Sequence, residues 1–207
     1  MRTRLATNDD AEAIRVIYNA EVVGSTVTFD MVPRSSADQL AWLAQHRGAY
    51  PAIVAVVERQ GEAGGVEGGG VGGGEGGGVG GGEGGGGLGG EGGGREGKDS
   101  EGALGGVVGF ASVSPYRSRP AYSTTVEDSV YVRPDCRGRG VGRLLLSDLV
   151  ELTAAHGFHS VMARIVGGHA ASIALHQSCG FQLVGVEREV GRKFGRWLDV
   201  VVMQRLL

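Results

Sequence analysis

The chain has 207 residues, of which 41 are glycine, against a usual share of about 7%. Between Gly61 and Gly106 lie 28 of them, and the 161 residues outside that 46-residue stretch have ordinary composition. That remainder is one domain's worth of chain with enough material for a core, which excludes a multidomain assembly, a small disulfide scaffold and a wholly disordered protein. The glycine stretch carries eight acids against Arg95 and Lys98, so the rest is near +3 while the whole chain is −3. This is not the charge pattern of a nucleic-acid binder. It suits a small anionic ligand such as a phosphate.

Arg2–Thr7 (RTRLAT) alternates and predicts a short strand. Thr7, Asn8 and Asp9 offer N-caps to a helix with Ile14, Ile17 and Tyr18 on one face. Ser36 with Gln39 three residues on is a capping-box pattern. It opens a second helix bearing Leu40, Trp42 and Leu43. Pro51 ends this region, and Ala52–Glu58 (AIVAVVE) predicts a buried strand.

Residues 61–105 form a low-complexity insertion built on the octad VGGGEGGG, with Glu67, Glu75, Glu83 and Glu91 recurring every eight residues. Such a sequence cannot bury enough apolar surface to offset its conformational entropy. The expectation is disordered coil spanning on the order of 35–40 Å. The segments before and after it both read as strands, so it is expected to expand a β-hairpin loop within a single domain spanning 1–207. Long loops cost little, because closure entropy grows only logarithmically. An insertion leaving the far end of the hairpin would not disturb catalysis.

Val107–Pro115 and Thr124–Val132 predict strands, followed by a Gly/Arg-rich turn and a helix from about Gly142 to His156. Ser160–Val166 predicts a strand and Ala170–Cys179 a short helix broken at Gly180. Phe181–Val190 and Trp197–Leu207 predict two closing strands. The order βααββ-β-α-β-α-ββ defines an α/β (mixed α+β) fold, a mixed sheet with helices on its faces.

Cys136 and Cys179 have neither CxxC nor zinc spacing, so a reducing compartment and no metal are expected. Met1 leads into a polar strand and not an apolar signal region. No run of about 18 apolar residues is present. The expectation is a cytoplasmic protein that binds neither membrane nor nucleic acid.

The sharpest motif is Arg137-Gly138-Arg139-Gly140-Val141-Gly142, between a strand and a helix. Glycines let a backbone approach a ligand and adopt positive φ. Free N–H groups at a helix start, with the macrodipole, favour an anion. Arg137, Arg139 and Arg143 add charge. A dinucleotide fingerprint would need glycine where Arg143 stands, and the GxxxxGK[ST] of a P-loop is missing. RxxGxG matches residue for residue. A glycine turn that only caps the helix is the alternative.

RxxGxG after a strand ending SVYV resembles the acetyl-CoA-binding turn of the GNAT superfamily of N-acetyltransferases. Ser25–Phe29 (STVTF), Tyr122–Val132 (YSTTVEDSVYV), Ala174–Phe181 (ALHQSCGF) and Lys193–Asp199 (KFGRWLD) resemble its phosphinothricin acetyltransferase branch. That branch includes acetyltransferases of methionine sulfone and methionine sulfoximine. The resemblance covers nearly all residues outside the insertion. It implies a mixed, mostly antiparallel sheet of six to seven strands flanked by about four helices. It also implies acetyl transfer from acetyl-CoA to the α-amine of a small amino-acid-like substrate, and a homodimer.

The implied roles follow residue by residue. Val130, Tyr131 and Val132 would pair with the pantetheine arm as an added strand. Arg137, Gly138, Arg139, Gly140, Val141, Gly142 and Arg143 would hold the pyrophosphate. Glu127 stands at the position of the general base, acting directly or through a water. Alternation places Glu127, Ser129 and Tyr131 on one face and Val126, Asp128 and Val130 on the other. Only one of Glu127 and Asp128 then serves the cleft, and the resemblance selects Glu127. His176 stands where many relatives carry a thiolate-protonating tyrosine. On its own it reads equally as a packed helix histidine. His169 replaces the branch's usual asparagine at a cofactor contact, or caps a helix.

Phe29, Arg117, Tyr122, Lys193 and Trp197 are the substrate-side candidates. A cation among them can pair a carboxylate, and the aromatics can form an apolar wall. Trp197 reads equally as core. Two other classes remain on the same fold: acetylation of a protein or peptide N-terminus, and a non-catalytic acyl-CoA-binding module.

Overall fold

The computed structural model describes residues 1–57 and 106–207. Among them the order is β1 (Arg2–Leu5), α1 (Ala11–Gly24), α2 (Ser36–Gln45), β2 (Ala52–Val56), β3 (Val107–Pro115), β4 (Thr125–Val132), α3 (Val141–Ala155), β5 (Ser160–Val166), α4 (Ala170–Ser178), β6 (Gln182–Lys193) and β7 (Arg196–Leu206). The elements match the sequence pattern in type and order. The strands form one seven-stranded sheet in the order β1-β2-β3-β4-β5-β7-β6. Every pairing is antiparallel except β4 with β5.

The sheet is covered on both faces. On one side α3 inserts Leu145, Leu146 and Leu149 against Ala111, Val113 and Val161. On the other, Ile14, Ile17 and Val22 of α1 with Leu43 of α2 meet Val54 and Phe110. This explains why every residue of β2, AIVAV, is buried. A strand with cover on both faces reads as a continuous apolar run. Each fully buried leucine contributes about 1.5–3 kcal/mol.

Two local readings change. The box that opens α2 is Ser35 with Asp38, one residue earlier than Ser36 with Gln39. Ser35 Oγ accepts from Asp38 N at 3.2 Å, and Ser35 N donates to Asp38 Oδ2 at 3.0 Å. Gln39 is fully buried, its Oε1 accepting from Arg34 at 3.2 Å. A buried side chain cannot reach back over an exposed helix end. Similarly, Thr7 caps a short turn, donating its N–H to Asp10 at 2.8 Å, before α1 begins at Ala11.

β2 and β3 pair from Ala52↔Ser112 to Val56↔Val107. The insertion expected between them lies outside the described residues. Its flanks do not leave from the end remote from the glycine turn. Val57 N donates to Gly106 O at 3.0 Å, and Arg133 N donates to Val108 O at 3.0 Å. The open end of this hairpin therefore stands beside the C-terminal end of β4. The other end of β3 faces Glu127, through Ser114↔Glu127.

β4 stays with β3 along its whole length, from Pro115↔Val126 to Gly109↔Val132. Gly109 permits this close approach, because a Cβ there would lie 2.8 Å from the Tyr131 carbonyl oxygen. β5 stays with β7 as far as Val166↔Val200. The parallel β4–β5 ladder runs only from Thr125↔Ser160 to Glu127↔Met162. Beyond it the two half-sheets part.

The cap assignment has a direct test. Ser35→Ala is expected to cost about 1 kcal/mol in urea unfolding. Ser36→Ala is expected to stay within about 0.5 kcal/mol of the parent. The reverse order would restore the Ser36 box.

Candidate active site

The parting of β4 and β5 opens a cleft of about 580 Å³, within the range of small-molecule sites. Its walls are Ser129–Val132 of β4 and Ala163–Val166 of β5. Two facing strand edges without a ladder between them can accept an extended, amide-bearing chain as an added strand.

One end of the cleft is the glycine turn. Gly138 and Gly140 have φ of +72° and +81°, and a Cβ at either would meet nothing within 4 Å. The turn is thus open and left-handed, a conformation that favours glycine. Gly140 is the N-cap of α3, so the first-turn N–H groups of α3 lack intrahelical partners and attract an anion. Gly142 has another function. A Cβ there would lie 3.1 Å from Leu175 Cδ2, so glycine lets α3 approach α4.

Gly138, Gly140, Val141, Gly142 and Arg143 line the cleft, as do Val130, Tyr131, Val132 and His169. Arg139 is not among the lining residues. Arg137 lines it, yet its guanidinium is engaged by the buried Glu21 of α1 and donates to Val132 O at 3.1 Å. That side chain ties α1 to the end of β4. His169 caps α4, its Nδ1 accepting from Ser172 N at 3.2 Å.

His176 projects from α4 into the same cleft and is buried. Its Nδ1 donates to Ser172 O at 2.7 Å, and Nε2 lies 3.1 Å from Asp128 Oδ2. The Phe181 ring meets it edge-on at 5.1 Å. Burial opposes charging the ring, but the Asp128 hydrogen bond, the Asp128 charge and the Ser172 carbonyl outweigh it. The His176 pKa therefore lies above its ordinary value.

Of the two adjacent acids on β4, Asp128 lines this cleft and Glu127 does not. Glu127 sits at the fork, on the opposite face, and is half-buried. The two acids lie on different sides of the strand, and the one that lines the cleft is Asp128, not the Glu127 that the resemblance selects. Burial raises the Glu127 pKa, the charges of Asp128 and Glu187 raise it further, and Arg164 and Arg117 oppose the rise. Arg164 is paired with Glu187 at 2.6 Å. Tyr116 packs against Met162, Val200 and Val202 on this face. It meets Tyr122 edge-on at 5.7 Å and carries the Arg117 guanidinium over its ring at 4.9 Å. Arg117 and Tyr122 thus gather on the Glu127 side.

The remaining substrate-side candidates lie elsewhere. Lys193 is buried, and its Nζ donates to Thr28 O at 2.8 Å, fastening β6 to the chain after α1. Burial lowers its pKa against the pull of Asp30 and Glu21. The Phe29 ring lies against Gly191 and is 42% exposed. Trp197 is not core: it is 61% exposed, with Arg192 over its ring. Cys136 and Cys179 are buried free thiols.

Arg164, Glu187, Tyr116 and Glu21 were not among the residues the sequence singled out, and Asp128 was there only as the alternative to Glu127. Alternation already places Asp128 opposite Glu127. Arg164 joins Glu127 only once the parallel register Glu127↔Met162 is known.

A glycine turn on a helix N-terminus, beside two parted strand edges, fits a ligand that joins a diphosphate to an extended amide chain. Coenzyme A has that constitution, and the residues present fit it. Such a fold and cleft define a CoA-dependent acyltransferase.

The comparisons agree. Residues 96–181 match the Acetyltransferase (GNAT) family. The chain is 34% identical to the L-methionine sulfoximine/L-methionine sulfone acetyltransferase of Pseudomonas paraeruginosa, over 94% of this chain and 88% of that one. A phosphinothricin acetyltransferase from Sinorhizobium meliloti, solved with AcCoA, superposes with TM-score 0.75 at 33% identity, covering 99% of this chain and 87% of that one. A ribosomal-protein-alanine N-acetyltransferase from Brucella melitensis gives TM-score 0.75 at 32% identity, with both chains fully covered. The chain belongs to the GNAT family and is an acetyl-CoA-dependent N-acetyltransferase. No helix among the described residues is long and apolar enough to cross a membrane.

The Glu127 environment predicts a stability effect. A carboxyl whose pKa is raised by folding binds its proton more tightly in the folded state. Stability is therefore lost as pH rises from the unfolded to the folded pKa, and the cost persists above both. Glu127→Gln is expected to raise Tm, more at pH 8 than at pH 4, in thermal scans. An unchanged or lowered Tm at pH 8 would contradict the burial cost.

Proposed function

We propose that this acetyltransferase acts on the α-amine of a small amino-acid-like substrate of the phosphinothricin, methionine sulfone or methionine sulfoximine type. The observation that carries this reading is Glu127, a carboxyl of raised pKa at the fork, with Arg117, Tyr116 and Tyr122 gathered on its face. Acetyl-CoA supplies an activated acetyl thioester, so nitrogen must lose one proton and sulfur must gain one. Glu127 takes the ammonium proton, directly or through a water. His176, whose proton affinity Asp128 raises against the effect of burial, gives one to sulfur. Ser129–Val132 hold the pantetheine arm. The amides of Gly138–Gly142 hold the pyrophosphate with Arg143. Arg117 is the cation placed to receive a substrate carboxylate.

A second copy of the chain completes the reading. Leu183, Val184, Val186 and Val190 of β6 are all at least half exposed, along an edge strand at the end of the sheet. A solvated apolar edge of this kind favours self-association. We assign the active form as a homodimer in the cytoplasm, each subunit a single domain whose β2–β3 connection carries the insertion.

A peptide N-terminus is the second reading. It is favoured by the exposure of Phe29 and Trp197, which leaves those walls open in the single chain.

The test is thiol release from acetyl-CoA with phosphinothricin, methionine sulfone, methionine sulfoximine, ordinary amino acids and a short peptide. Turnover of an amino-acid analogue is expected. In Glu127→Gln, kcat should fall by about 10²–10⁴-fold, with KM for acetyl-CoA little changed. Turnover of the peptide alone would select the second reading. Full activity in the variant would remove Glu127 as the base.

A further inference from the structure

We propose that Asp128 is a positioning residue for this reaction: a single carboxylate on the cleft side of β4 that keeps His176 a proton-bearing imidazolium and keeps Glu127 basic. The inference deepens the acetyltransferase reading above and rests on it.

The geometry fixes one of the ring's hydrogens, and the proposal places the other. Ser172 O can only accept, so His176 Nδ1, at 2.7 Å, carries one hydrogen. In the proposed pairing Asp128 is the carboxylate, and Nε2, 3.1 Å from its Oδ2, carries the other. A ring that donates from both nitrogens is an imidazolium. The two side chains are 5% and 1% exposed. Removing either partner would strand a charge away from water, which is strongly destabilising.

The groups around the ring offer no substitute for Asp128. Glu127 lies on the other face of β4. Arg164 of β5 is held by Glu187. At the far end of the cleft stand Arg143, the acid Glu21 paired with Arg137, and His169, which caps its own helix. The core that α3 contributes nearby is apolar, with Leu145, Leu149 and Phe181 in one cluster. Asp128 Oδ1 meanwhile has no hydrogen-bond partner. This residue lining the cleft retains one open acceptor.

Asp128 also acts across its own strand. Its negative charge disfavours a second negative charge on Glu127, adding to the effect of burial. One carboxylate therefore raises the proton affinity of the acid on one face and of the base on the other.

The proton balance closes. As the carbon–sulfur bond breaks, its electron pair goes to sulfur, which takes the Nε2 proton as that hydrogen leaves Asp128 Oδ2. Glu127 holds the proton lost by nitrogen. A neutral ring would turn the Nε2 lone pair toward the Asp128 carboxylate, an acceptor facing an acceptor. That repulsion returns a proton from solvent to the ring, while Glu127 releases its own.

The experiment uses the full chain as wild type, Asp128→Asn and Asp128→Glu. ¹⁵N-edited NMR of the His176 ring reads its protonation without turnover. The pH profile of kcat, with the best amine of the panel above, reads both catalytic groups. In the wild type both ring nitrogens should be protonated at neutral pH. In Asp128→Asn the ring should become neutral there, and kcat should fall roughly 10²-fold while KM for acetyl-CoA changes little. Both limbs of the profile should move to lower pH: the alkaline limb because His176 loses its proton earlier, the acid limb because Glu127 does. Asp128→Glu should recover part of kcat. His176 titrating at the same pH in Asp128→Asn as in wild type would overturn the proposal. So would a fall in kcat with both limbs unmoved, which is the mark of packing alone. A wild type inactive on every amine would sink the substrate reading only, because the ring spectra would still decide the pairing.

Discussion

The site depends on where one parallel ladder stops. β4 and β5 pair for three registers, Thr125↔Ser160 to Glu127↔Met162, and then separate. Each is held by an antiparallel partner on its outer side, β3 for one and β7 for the other. Parallel pairing is slightly weaker per residue than antiparallel pairing. When the two half-sheets twist apart, this seam is therefore the one that yields. The cleft is the consequence of that competition and not a separate construction.

A fork of this kind divides a strand's chemistry between its faces. Consecutive residues of β4 point to opposite sides, so two adjacent acids reach two different compartments. Asp128 meets His176 from α4 in the cleft that also holds the glycine turn. Glu127 meets Arg117, Arg164 and Glu187 on the other side. The backbone between them is short enough for their charges to interact and rigid enough to prevent a shared hydrogen bond. The His176–Asp128 pair and Glu127 are thus kept apart sterically while remaining electrostatically linked.

The fold was largely legible because its signals are local. The alternation in TVEDSVYV, the spacing of Leu145, Leu149 and Leu152 and the Gly180 break each need only a few neighbours to interpret. The α2 cap slipped by one residue because Ser35 and Ser36 are both good caps. The Ser35–Asp38 hydrogen bonds and the burial of Gln39 decide between them. The glycine turn was legible for the same local reason. The cations were not. Arg137, Arg139 and Arg143 look alike in sequence, yet Arg137 is drawn to Glu21, 116 residues away along the chain. Lys193 reads as a substrate ligand until the fold brings Thr28 O to its ammonium. Long-range pairing decides whether a surface-type cation is free, and no spacing rule encodes it.

The contact of Phe29 with Gly191 has an evolutionary consequence. A Cβ at residue 191 would lie 2.2 Å from Phe29 Cε2, and Lys193 two residues on is anchored to the Thr28 carbonyl. The segment after α1 and the end of β6 are therefore one interlocked piece. A lineage that changes the bulk of the side chain at 29 does so first with glycine at 191. Once the aromatic ring is lost, side chains at 191 become accessible and the ring cannot easily return. The order of substitutions, not only their identity, then governs how this interlocked segment can drift.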